Sequence, residues 1–173
     1  MESLDRLFLN CSISELRQKM GRIGACLGQL TDDQVWARGS ENENAVGNLA
    51  LHLTGNVRQW IVAGVGGTPD VRDRDAEFAS RGGMGKAELE ARLRQTVEEA
   101  AAVIERLTPE RLATAVTVQG YQLTVLEAVY HVVEHFSMHT GQIIFATKML
   151  TGADLGFYRH LSGGGRARGQ RTP

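Results

Sequence analysis

Three of the five histidines in this 173-residue chain, His131, His135 and His139, recur at intervals of four. Residues four apart on an α-helix share a face, with Cβ atoms roughly 6 Å apart, so neighbouring imidazoles at this spacing can grip one ion. Neutral imidazole suits Zn, Ni, Cu or Fe. On a wheel of about 100° per residue, Glu134, Ser137 and Lys148 mark the solvent side, whereas His135 and His139 fall with Ala128, Val132, Ile143 and Ala146. His131 sits at the edge of that apolar arc. Two interior imidazoles need partners, because an unsatisfied polar group in a core costs on the order of 1–3 kcal/mol. One cation would satisfy both.

A further ligand should come from a facing helix, as it does in bundle metal sites. His52 is the obvious candidate: it lies beside the arc of Leu49, Leu53, Val57 and Trp60, with Asn48, Asn56 and Gln59 along the same edge. His160, in a glycine-rich segment, is a poorer one. The plain alternative is that an interior histidine is hydrogen-bonded to a carbonyl, and that an HxxxH pair arises by chance. The coincidence of three spaced histidines with another interior one favours the metal.

The elements that would carry these residues read as helices joined by glycine-rich loops. Residues 3–30 hold Leu4, Leu7, Phe8, Leu16, Met20, Ile23 and Leu27 at near-helical spacing. Thr31 and Gln34 form a capping box opening a short turn. A second helix spans about 45–65 and is stopped by Gly64, Gly66, Gly67 and Pro69. The stretch 66–84 reads as a long charged loop, functional or mobile, whose run from Asp70 to Glu77 has the pattern of a solvated segment. A third helix covers about 86–107, and Thr108-Pro109-Glu110 marks a fresh start. Residues 113–122 alternate, as an extended connection or a small hairpin around Gly120. The last helix opens at the capping box Thr124/Glu127, runs to Leu150 and stops at Gly152. The expectation is an all-α, up-and-down four-helix bundle over residues 1–161, followed by a flexible basic tail at 162–173.

The segments HVVEHFSMHTGQII at 131–144 and NLALHLTGNVRQWI at 48–61 resemble the last-helix and second-helix signatures of the DinB/YfiT-like metal-binding superfamily. The stretch GTPDVRDRDAEFASRGGMGKAEL at 67–89 is similar to a branch of that superfamily of unknown function. The resemblance covers most of residues 3–160. It implies a four-helix bundle, usually a homodimer, with one divalent metal held by three histidines, here His52, His135 and His139. His131 then stands beside the site. One departure is visible: the common His-Arg-Gly-Gln ending is here His139-Thr140-Gly141-Gln142, without the arginine. Characterised relatives include thiol-dependent S-transferases and a maleylpyruvate isomerase, and many others have no assigned activity.

Composition narrows the classes. Nineteen Lys and Arg nearly cancel twenty Asp and Glu, which argues against nucleic acid as the main partner. No apolar run of about 20 residues exists to cross a membrane. The acidic start Met1-Glu2-Ser3-Leu4-Asp5 lacks the features of a signal peptide. Cys11 and Cys26 have no ligand-like spacing, and on one helix they would stand about 22 Å apart, too far for a disulfide. They read as small core or boundary residues in a reducing, cytoplasmic setting.

A three-histidine site with an open position is built like a catalytic one, since closed structural zinc sites use four protein ligands. Zinc or nickel leads, with Fe, Mn or Cu behind. Such an ion would activate water or hold a small thiol as thiolate, the stronger nucleophile, which points to an S-transferase acting on small electrophiles. In this reading Arg72 and Arg74 contact an anion, Asn48, Asn56 and Gln142 orient ligands or substrate, and His131 is the one available base. The rival readings are a dimeric interaction or stress-response scaffold with a structural or idle ion, and a metal-dependent isomerase or hydrolase.

Overall fold

The computed structural model describes residues 2–161; the tail expected at 162–173 lies outside them. Helix α1 (Leu4–Gln29) turns Leu9, Ile13, Leu16, Met20, Ile23 and Leu27 inward at spacings of three and four. After the short α2 (Asp32–Val35), helix α3 (Val46–Val57) continues into an eight-residue π-helical stretch, Arg58–Val65. Helix α4 (Arg74–Ala79) precedes the long α5 (Lys86–Glu105) and the single turn α6 (Pro109–Leu112). Strands β1 (Ala115–Val118) and β2 (Tyr121–Thr124) lead into α7 (Val125–Thr151), and a 3-10 turn, Arg159–Leu161, closes the described chain.

Side chains fix the ends of these elements. Gln34 N–H donates to Thr31 Oγ1 and Thr31 N–H donates to Gln34 Oε1, the reciprocal pair read from the sequence. Thr124 and Glu127 repeat it at the start of α7, and Gly152, at φ 66°, ends that helix. The strands pair antiparallel, with Ala115 opposite Thr124 and Val118 opposite Tyr121. Both residues of the two-residue turn, Gln119 and Gly120, have positive φ, as a turn matched to strand twist requires.

The long helices make an all-α bundle. The main packing is α1 against α5 and α7, and α3 against the same two, so α1 faces α3 across the diagonal. The connections at 30–45 and 106–124 therefore cross the ends of the bundle. Phe136, Leu53, Ile61, Leu16, Met20, Leu93 and Ile104 fill the centre with no side chain measurably exposed beyond 1%. None of the described helices is long and apolar enough to cross a membrane.

Two expectations are corrected. The stretch 66–84 is not one charged loop: Asp73 caps α4 by accepting from Ala76 N–H at 3.0 Å, and Glu77 on that helix is buried, not solvated. Six residues are too few to show helical periodicity, so the alternation of acids and bases hid it. Of the cysteines, Cys26 is buried and Cys11 is exposed, so only the first belongs to the core.

Candidate metal centre

Helix α3 contributes His52 and helix α7 contributes His135 and His139, and one nitrogen from each of the three lies within 4.8 Å of the others. The α3–α7 packing brings them together, with the His52 and His135 ring centroids 5.0 Å apart across the two helices. His52 and His139 are 5% and 9% exposed. Their rings stand edge to face, with centroids 4.9 Å apart, and His135 meets His139 in the same way at 4.4 Å.

The outer nitrogens show which lone pairs remain. His52 Nδ1 lies 3.1 Å from Glu77 Oε2, which only accepts, and 3.1 Å from Arg72 Nη2, which only donates. Nη2 is already given to Glu77 Oε2 at the shorter 2.8 Å, so the pairing with the carboxylate puts the proton on Nδ1. His139 Nδ1 donates to Gln142 Oε1 at 2.6 Å. Each hydrogen bond leaves Nε2 as a lone pair. His52 Nε2 then stands 2.9 Å from His135 Nε2, and two such atoms need a shared proton or a shared cation between them. The donor set therefore fits a divalent ion, and the two bonds are those that orient metal-binding histidines.

Electrostatics holds His131, His135 and His139 below the ordinary histidine value. Burial pushes His135 down to about 3, with the neighbouring His139 and His52 rings adding to the fall. Burial also lowers His139, against a smaller upward pull from Gln142, and it lowers His131. For Glu77, burial raises the carboxyl, but hydrogen bonds from Arg72 and His52 outweigh it and leave the group below its ordinary value.

Glu77 is the residue the sequence did not reveal. Arg72 Nε donates to its Oε1 at 2.7 Å and Arg72 Nη2 to its Oε2 at 2.8 Å, a bidentate pair with the side chains 3% and 9% exposed. Phe78, the next residue, lies against the His52 ring with centroids 4.8 Å apart. The one available signal was Gly55, a glycine inside a helix one turn beyond His52. A Cβ there would lie 1.8 Å from Glu77 Oε1, so the carboxylate reaches the imidazole only across a bare helix face.

The remaining candidates are placed as follows. Asn48 is buried and donates from Nδ2 to the carbonyls of Glu77 and Ser80, both at 2.9 Å, fastening the end of α4 to α3. Arg38 donates to Asn48 Oδ1 and to Ser80 O from the other side. Asn56 is buried and its Oδ1 has no partner among the described residues. Arg72 is committed to Glu77 and Gln59, and Arg74 stands over the Phe78 ring. His131 is half-buried and apart from the trio: it stacks on His135 at 5.4 Å and on Trp60 at 4.0 Å. His160 sits exposed in the closing turn.

Known structures share this architecture. A conserved protein from Enterococcus faecalis superposes with a TM-score of 0.70 at 17% identity, over 83% of this chain and 97% of its own. A DinB-like protein, YjoA, from Bacillus subtilis superposes with a TM-score of 0.65 at 16% identity, over 85% and 96%. At such identities the likeness is one of fold, and it defines the class: a DinB-like helical bundle. No curated protein matches the chain. The chain belongs to the family of proteins of unknown function DUF1572, which it matches over residues 3–162.

Proposed function

We propose that this protein binds one divalent metal ion through His52, His135 and His139, with zinc or nickel ahead of Fe, Mn or Cu, and uses it for thiol-dependent transfer to small electrophiles. The observation that carries the reading is the convergence of three imidazole nitrogens within 4.8 Å, two of them with the opposite ring nitrogen already committed. A divalent ion supplies one thing there: it lowers the pKa of a bound water or small thiol towards neutrality. The chain does the rest. Glu77 and Gln142 hold two rings in orientation, and His131, kept neutral by burial, is the base beside them. A homodimer belongs to the same reading, and the exposed apolar residues Tyr130, Met138, Phe145 and Met149 along α7 support it.

Elemental analysis of protein purified without an affinity tag tests the metal. The wild type should carry about one equivalent, His135→Ala and His139→Ala should carry almost none, and His131→Ala should keep most of it. Bound zinc should also raise Tm in the wild type and in His131→Ala but not in the two ligand variants, by ligand linkage. Unchanged metal content in both ligand variants rejects the ligand set. A screen of small thiols against electrophiles then separates an enzyme from a scaffold, and elution as a monomer at micromolar concentration rejects the dimer.

A further inference from the structure

A cleft of about 470 Å³ opens beside the imidazoles, between the hairpin and the start of α7, lined by Trp60, Gln119, Tyr121, Leu123, Glu127 and His131 among others. That volume falls within the range of small-molecule sites. We propose that this cleft is the acceptor subsite of the metal centre and takes a flat aromatic molecule that carries no negative charge. The inference rests on the metal reading above and names the class of electrophile that reading leaves open.

Position is the first argument. His131 lines the cleft and also stacks on His135, so only one imidazole separates a molecule lodged there from the three converging nitrogens. The second argument is that the walls are built and pinned. Trp60 is presented by the π-helical stretch, a rare element that recurs at functional sites. A Cβ at Gly64 would stand 2.5 Å from Val118 Cγ2, so the hairpin rests on that stretch only because the position is glycine. Gln119 at the hairpin turn donates to Gln59 Oε1, tying the two walls together.

Chemistry selects the occupant. The walls are an indole, an imidazole, a phenol and a leucine, surfaces that bind aromatic rings. Among the described residues no lysine or arginine lines the cleft and Glu127 is its one acid, which opposes anions. The carboxylate oxygen Oε2 of Glu127 accepts from Thr124 N–H and Oγ1, each at 2.7 Å, which holds the group in its charged form, so it repels anions and tolerates a cation beside the aromatic walls. His131 makes no hydrogen bond among the described residues, so its ring can bond to a polar atom of the guest. Tyr121, 65% exposed, is free to fold over it.

The test is calorimetric binding at pH 8 to three two-ring probes of one shape: quinoline, 2-naphthoate and N-methylquinolinium. Protein stripped with EDTA is used, so that quinoline cannot bind by coordinating a metal. Quinoline should bind saturably, N-methylquinolinium comparably, and 2-naphthoate about tenfold more weakly than either. Tyr121→Ser and His131→Phe should each weaken quinoline about fivefold or more, with unchanged circular dichroism. Absence of saturable quinoline binding, 2-naphthoate binding as tightly as quinoline or tighter, or indifference to both variants overturns the subsite. Metal content is measured on the same wild-type preparation before stripping. Zinc retained without quinoline binding rejects the cleft alone, and quinoline bound by a protein that takes up no zinc rejects the metal reading alone.

Discussion

Among single residues, the Arg72–Glu77 pair sets the precision of the site. A buried carboxylate with a bidentate guanidinium on one side and an imidazole N–H on the other fixes which His52 nitrogen faces inward. Loss of such a partner typically costs 10–100-fold in metal affinity. Glu77→Gln should therefore weaken zinc binding by about that range in a competition titration against a chelating dye. It should also destabilise the fold by about 3–5 kcal/mol in urea, because Arg72 keeps its charge without its partner. Unchanged zinc affinity in a folded Glu77→Gln protein would show that the carboxylate serves packing alone. The histidines could be read from the sequence because a spacing of four on an amphipathic helix is a local pattern. Glu77 could not, since its contact spans 25 residues and it follows the charged run Arg72-Asp73-Arg74-Asp75. Arg72, read there as an anion contact, is turned inward by that same pair.

At the scale of elements, the His52 face of α3 and the covering helix α4 meet at Gly55, where two effects oppose each other. Ala in place of Gly in a helix interior gains about 1 kcal/mol of intrinsic propensity. The added Cβ, however, would lie 1.8 Å from Glu77 Oε1 and 2.8 Å from Arg72 Nε, so α4 must move or the pair must break. The second effect is larger, because it disrupts a buried ion pair. Gly55→Ala should keep its helical circular dichroism while losing zinc affinity and amide-exchange protection over 72–80; retained affinity and protection would place α4 elsewhere. The long helices and their caps were legible because Thr31/Gln34, Thr124/Glu127 and Gly152 are signals within a few residues. Helix α4 escaped because its stabilising contacts, Asn48 and Arg38 on the carbonyls of Glu77 and Ser80, come from other elements. The π-helical stretch Arg58–Val65 has no sequence signature of comparable range; its apolar residues fit an ordinary helix equally well.

For the whole molecule, the diagonal arrangement of α1 and α3 leaves α3 and α7 in contact along the seam that holds the imidazoles, and that placement has an acid cost. Burial lowers His131, His135 and His139 in the folded chain, the second of them to about 3, while in the unfolded chain each titrates near 6.5. Below about pH 6.5 the unfolded state binds protons that the folded state refuses, so stability falls as pH falls, by at most about 1.4 kcal/mol per pH unit for each group. Glu77 works in the same direction lower down: its folded value is depressed, so its contribution is present above the ordinary carboxylate range and disappears as pH drops through the folded value. Urea midpoints of EDTA-treated protein should thus be level from pH 8 to 7 and decline steadily from 6.5 to 5. Zinc, which needs the same lone pairs, should steepen the decline by dissociating over that window. In His135→Phe the decline should be shallower, since one buried base is gone. A midpoint indifferent to pH between 7 and 5 in the metal-free wild type would mean that these rings take up protons freely, and that they are not sealed in the seam between α3 and α7.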